Sequence, residues 1–213
     1  MVAVTRFPAG PGLRIGLLGG SFNPAHEGHL KISLAALKLL ALDRVVWLVS
    51  PRNPLKLAST LAGYDERLAR AKIAAVHPRL FVSGFEAEYG HRYTIDTVLH
   101  LKRTFRRTRF VLLIGADNLV SMARWKNWTR LFDEVPIAAF ARPGWDLAAP
   151  ASQAARRFAR YRVPPHEAKR LAASRPPAWT YVPTTHDESS ASAIREKGLW
   201  PPRNSVTAAP HQN

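Results

Sequence analysis

"GGSFNPAHEGHL", residues 19–30, joins two segments of different periodicity. Upstream, LRIGLLGGSF (13–22) is a short apolar run closed by glycines, the pattern of a parallel strand buried on both faces and feeding a tight loop. Downstream, HLKISLAALKLLALD (29–43) sets Leu30, Leu34, Leu37, Leu40 and Leu42 near helical spacing, ahead of the strand-like RVVWLVS (44–50). The sum is a β-α-β unit. In an open parallel sheet, ligands bind outside the carboxyl ends of the strands, and the first βα turn usually carries the phosphate contacts. Gly19 and Gly20 are expected to let the backbone approach a phosphate and to adopt dihedrals that a Cβ forbids, while Pro24 stiffens the loop. His26 and His29, at i and i+3, share one face of a helix start whose N–H groups and dipole favour an anion. As zinc ligands the pair is poorly supported, with no nearby Cys or acidic third ligand. The turn contains neither a Walker loop nor a GxGxxG fingerprint.

Working outward, the chain goes on alternating. YDERLARAKIAAVH (64–77), TIDTVLHLKRTF (94–105), TRLFDEV (129–135), PASQAARRFARYR (150–162) and SSASAIREKG (189–198) read as helices. RLFVSGF (79–85), RFVLLIG (109–115), PIAAFARPG (136–144) and AWTYVP (178–183) read as strands, the third ending in a turn. That alternation predicts an α/β fold, a doubly wound and mostly parallel sheet with helices on both faces. Residues 50–63, 162–178 and the tail look like connections, the first long enough to be a substrate loop. A single domain is expected over residues 13–198, with residues 1–12 and 199–213 as flexible termini.

The 213 residues are 46% hydrophobic and 22% charged, a globular composition without an apolar run long enough for a membrane span. Without cysteine there is no thiolate nucleophile, disulfide or Cys-ligated metal. The N-terminal segment does not read as a secretory signal, so the expectation is a soluble, cytoplasmic protein. Lys and Arg total 31 against 15 Asp and Glu, a net charge of +16 that attracts polyanions, either nucleic acid or phosphorylated small molecules. The charge is spread thinly, and a merely solvated basic surface is the plainer reading.

GGSFNPAHEGHL resembles the HxGH signature of the nucleotidylyltransferase superfamily. NPLK (53–56), YTIDTV (93–98), GADNLVSMARWKNW (115–128), RPG (142–144) and SSASAIR (189–195) then follow in the order found in bacterial nicotinate mononucleotide adenylyltransferases. Two positions depart from that pattern: Asn23 stands where many relatives have Asp, and Ala191 interrupts a run of hydroxyls. The resemblance implies transfer of an adenylyl group from ATP to nicotinate mononucleotide, giving deamido-NAD and pyrophosphate, with Mg²⁺ arriving on ATP and no metal ligand from the protein. It implies that His26 and His29 hold ATP phosphates, His29 at the α-phosphate. Gly19, Gly20, Ser21, Phe22, Ser190, Ile194 and Arg195 would complete the ATP site, with Arg195 forking onto the β- and γ-phosphates. Asp117 would accept from a ribose or orient a Mg²⁺-bound water, or else begin the next helix. Asn23, Lys56, Thr94 and Trp125 would form the mononucleotide site, Lys56 on the phosphate, Thr94 near the carboxylate and Trp125 stacking on the pyridine unless it is simply core. The competing readings are a sister transferase acting on nicotinamide mononucleotide or phosphopantetheine, and a basic nucleic-acid-binding module. The second lacks any helix-turn-helix, RNP or finger signature, so neither a specific nucleic acid nor a membrane is expected as partner.

Overall fold

A computed structural model describes residues 7–51, 61–183, 194–195 and 200. Six strands, β1 (Arg14–Gly20), β2 (Arg44–Val49), β3 (Leu80–Ser83), β4 (Arg109–Gly115), β5 (Ile137–Phe140) and β6 (Trp179–Val182), pair in parallel in the order β3-β2-β1-β4-β5-β6. The helices are α1 (Glu27–Leu39), α2 (Tyr64–Ala74), α3 (Phe85–Glu88), α4 (Thr94–Thr104), α5 (Ala116–Ser121), α6 (Trp128–Glu134) and α7 (Gln153–Arg157).

The apolar strands are explained by burial on both sides. Ile15, Leu17, Val46, Leu48, Leu112 and Ile114 face one core with Val98, Leu101, Leu119 and Phe132. The alternate residues Leu18, Val45, Trp47, Val49, Val111 and Leu113 face a second core with Ala36, Leu37, Ala71 and Leu171. Register puts Leu17 between Val46 and Leu112, so β1 is the centre of the sheet. Gly16 is required there, because a Cβ would lie 2.7 Å from Leu113 and 2.9 Å from Leu42. The chain runs outward through β2 and β3, returns to β4, and runs outward again, so strand order reverses between β1 and β4. Their carboxyl ends open the crevice in which such sheets bind ligands.

Several local expectations shift. α1 begins at Glu27 and ends at Leu39; Leu34 is exposed, while Leu40 and Leu42 are buried beyond the helix, on either side of Ala41 at φ +50°. Strand β3 stops at Ser83, since Phe85 opens α3. The helix expected over 150–162 shortens to α7 plus a 3₁₀ turn, and residues Pro165–Ala173 of the supposed connection form a 3₁₀ helix. Two aromatics outside residues 13–198 are also buried. Phe7 is buried, its ring 5.4 Å from that of Phe85 and 5.5 Å from that of Phe105. Trp200 is 6% exposed. Apolar surface on both aromatics draws chain beyond 13–198 into the fold.

Candidate active site

A cavity of about 860 Å³ opens between the carboxyl ends of β1 and β4. Gly19, Gly20, Ser21, Phe22, Asn23, His26 and His29 line it from the first turn, Asp117 from the start of α5, Thr94 from the start of α4, and Trp125 and Arg195 from further along. A Cβ at Gly19 would meet no protein atom within 4 Å, so its bare backbone faces open space as a phosphate approach requires. The dihedral reason for the glycines does not hold. Neither Gly19 nor Gly20 has a positive φ; Phe22 takes the left-handed conformation, φ +45°, with its ring buried and 5.1 Å from the Trp47 indole.

The two histidines cap α1 reciprocally. His26, the N-cap, accepts at Nδ1 from the Gly28 N–H (3.1 Å), and His29 Nδ1 accepts from the His26 N–H (3.2 Å). The rings are 4.0 Å apart. An Nδ1 that accepts carries no proton, so each neutral ring holds its proton at Nε2, which makes that atom a donor. Below them, the Trp47 indole donates to Ser33 Oγ, which donates to the His29 carbonyl, each at 2.7 Å. This buried chain fixes α1 to β2 beneath the rings.

Asp117 sits in the first turn of α5. Its Oδ2 is 3.2 Å from Arg142 Nη1, while its buried Oδ1 has no hydrogen-bond partner among the described residues. Gly115 permits this placement, since a Cβ there would come within 2.5 Å of that oxygen. Across the cavity, Thr94 opens α4 and Trp125 ends a 3₁₀ turn, partly buried against the core while also lining the cavity. The two segments meet where Lys126 Nζ lies 5.4 Å over the Tyr93 ring. Asn23 has a tethering role the sequence does not announce. Its Oδ1 accepts from the Ala62 N–H (3.1 Å) and the Trp200 indole (2.7 Å), and its carbonyl accepts from Arg195 (2.6 Å). An Asp there would offer the same acceptor. Ile194 lies in a helical turn beside Arg195; Lys56, Ser190 and Ala191 fall outside the described residues.

Two residues the motifs did not mark hold the site together. Arg67 is 1% exposed and donates to four carbonyls, Ser21 (2.6 Å), Ser50 (2.8 Å), Ala62 (3.0 Å) and Pro51 (3.1 Å). A charged residue one turn before buried Ala71, on the packed face of α2, was the available signal. Glu86, also lining the cavity, accepts from the Thr97 hydroxyl at 3.2 Å. Burial pushes its pKa up to about 7, against the opposing pull of the Thr97 and Ser50 hydroxyls. No sequence signal marks it.

Seven Lys and Arg side chains line the cavity against two carboxylates, a lining suited to gathering anionic ligands. Among the described residues, no cluster of three His, Cys, Asp or Glu could hold a metal ion. No helix there is long and apolar enough to cross a membrane.

Comparison with known proteins agrees with this picture. A family model described as cytidylyltransferase-like matches residues 17–197. A protein of Parvibaculum lavamentivorans named "Probable nicotinate-nucleotide adenylyltransferase" is 46% identical over 190 residues, 89% of this chain and 94% of its own. One of the same name from Methylorubrum extorquens is 45% identical over 185 residues, 87% of this chain and 100% of its own. The solved structure of Plasmodium falciparum nicotinic acid mononucleotide adenylyltransferase complexed with NaAD shares the fold, with a TM-score of 0.65 at 15% identity over 86% of this chain and 83% of that one. With a crevice at the strand-order reversal, an HxGH turn at its floor and relatives this similar over nearly their full length, the chain belongs to the cytidylyltransferase-like family, among the nicotinate-nucleotide adenylyltransferases.

Proposed function

We propose that the chain transfers the adenylyl group of ATP to nicotinate mononucleotide, releasing pyrophosphate and forming deamido-NAD. The observation that carries the residue roles is the reciprocal cap, which makes Nε2 the donor on both His26 and His29 at the crevice floor. The acceptor phosphate oxygen attacks the α-phosphorus, the bond to the bridging oxygen breaks, and pyrophosphate leaves with the charge. Two anions must be brought together in line, so the work is positioning and charge neutralisation, without a covalent enzyme intermediate. His29 Nε2–H donates to the α-phosphate as charge builds, His26 to a neighbouring phosphate, and Arg195 supplies a fixed cation at the β- and γ-phosphates. Gly19, Gly20, Ser21 and Phe22 supply backbone against the nucleotide, with Ser190 and Ile194 completing that side.

Mg²⁺ carried on the triphosphate would supply charge neutralisation at the pyrophosphate. Asp117, whose buried Oδ1 has no hydrogen-bond partner among the described residues, would hold one of its waters, or else accept from the ribose. Lys56 takes the mononucleotide phosphate. Asn23, whose side-chain oxygen tethers the loop, contributes to that subsite by shape. Trp125 carries the pyridine ring, and Thr94 with the N–H groups opening α4 meets its carboxylate. Acid and amide have the same shape, so discrimination comes from donors that satisfy a carboxylate but oppose an NH₂.

Pyrophosphate release should favour nicotinate mononucleotide over its amide by roughly 10- to 10³-fold in kcat/KM, the effect of one or two donors left unpaired. Thr94→Val should lower activity on the acid more than on the amide. Equal kcat/KM for the two, or turnover only with a different phosphorylated acceptor, would overturn the reading.

A further inference from the structure

The acceptor end of the cavity holds a buried carboxyl that the transfer chemistry does not use. Glu86 is 8% exposed, lines the cavity, and lies 3.2 Å from the hydroxyl of Thr97. Thr97 is one turn along α4 from Thr94, so the two threonines share a helix face. The Glu86 carboxyl therefore sits within about a helical turn of the residue assigned to the nicotinate carboxylate. Its polar neighbours there are hydroxyls, Thr97 and Ser50, and neither carries a compensating positive charge. Tyr64 on α2 shares its field, together with Arg67 and Asp65 of the same helix. His91, whose N–H donates to the Glu86 carbonyl, and His100 both pack on the neighbouring Phe85 ring, and Arg92 lines the same cavity.

We propose that Glu86 is a specificity-determining residue: as the neutral acid it admits the nicotinate carboxylate, and as the anion it turns that carboxylate away while leaving the amide almost unaffected. This rests on the placement of the pyridine carboxylate at Thr94. With burial raising the carboxyl to about 7, the neutral form persists to near neutrality and is lost above it. Two like charges a helical turn apart in a partly dry cavity repel enough to change affinity on the order of 10-fold.

The test is the ratio of kcat/KM for nicotinate mononucleotide to that for nicotinamide mononucleotide, followed from pH 6 to 8.5. Ionisation of the substrate phosphate or of the capping histidines affects both substrates and cancels. The ratio should fall about 10-fold as pH rises through 7, and Glu86→Gln should flatten it. Thr97→Val, which removes a donor to the anion, should move the fall to higher pH. In a separate readout, wild type should lose stability relative to Glu86→Gln as pH rises from 4.5 to about 7, because the folded carboxyl keeps a proton that the unfolded one has released. A flat wild-type ratio overturns the proposal, as does a slope that survives Glu86→Gln. Either result leaves the adenylyl-transfer reading standing. Failure of the wild type to use either mononucleotide would instead overturn that reading.

Discussion

His26 and His29 both cap the start of α1 through Nδ1, on the N–H groups of Gly28 and His26, so the two rings that cap the helix are also the proposed phosphate donors. The pairing has a cost and a benefit: neither ring can turn toward a ligand, and neither has to be ordered when one binds. Preorganised donors aimed at developing charge are worth about 10²-fold or more in rate each. His29→Ala should therefore lower kcat by that amount, with a loss of about 0.5–2 kcal/mol in stability from the broken cap. Near-normal kcat in a folded variant, measured by pyrophosphate release, would remove His29 from the chemistry.

Helix α2 does more than connect β2 to β3. It delivers Arg67 beneath the loops that follow β1 and β2, where one guanidinium gathers carbonyls of Ser21, Ser50, Pro51 and Ala62. Arginine suits this position because its planar fork presents several donors at once, and the carbonyl dipoles stand in for an acidic partner. Arg67→Met keeps the aliphatic stem and strands the carbonyls. With about 1–3 kcal/mol for a buried group left unsatisfied, and some of them rescued by water, a net loss of roughly 3 kcal/mol is expected. Urea unfolding would read it as a lowered midpoint, and a loss under about 1 kcal/mol would show that the loops hold without the clamp. The Asn23 carboxamide makes a parallel tie, reaching Ala62 on one side and Trp200 on the other.

The net charge of +16 is gathered in part around the cavity, where phosphorylated substrates enter. If small anions are its purpose, duplex DNA should bind only at the ~10⁻⁴ to 10⁻⁶ M level of non-specific contacts at physiological salt, without sequence preference. Sub-micromolar, sequence-selective binding by anisotropy would reverse that view. The parallel sheet and the histidine turn were legible because they rest on short-range rules. Strands buried on both faces are apolar throughout, helices repeat near 3.6 residues, and a Gly-rich turn must lie between them. The resemblance of the motifs then located Thr94, Asp117, Trp125 and Arg195, which the folded chain brings to one cavity. What Arg67, Phe7 and Trp200 would touch was illegible for one shared reason. Their partners lie far along the chain: 46 residues separate Arg67 from Ser21, and 177 separate Trp200 from Asn23. Which partners a buried charge or aromatic meets follows from which segments the folded sheet brings side by side, and no local pattern encodes it.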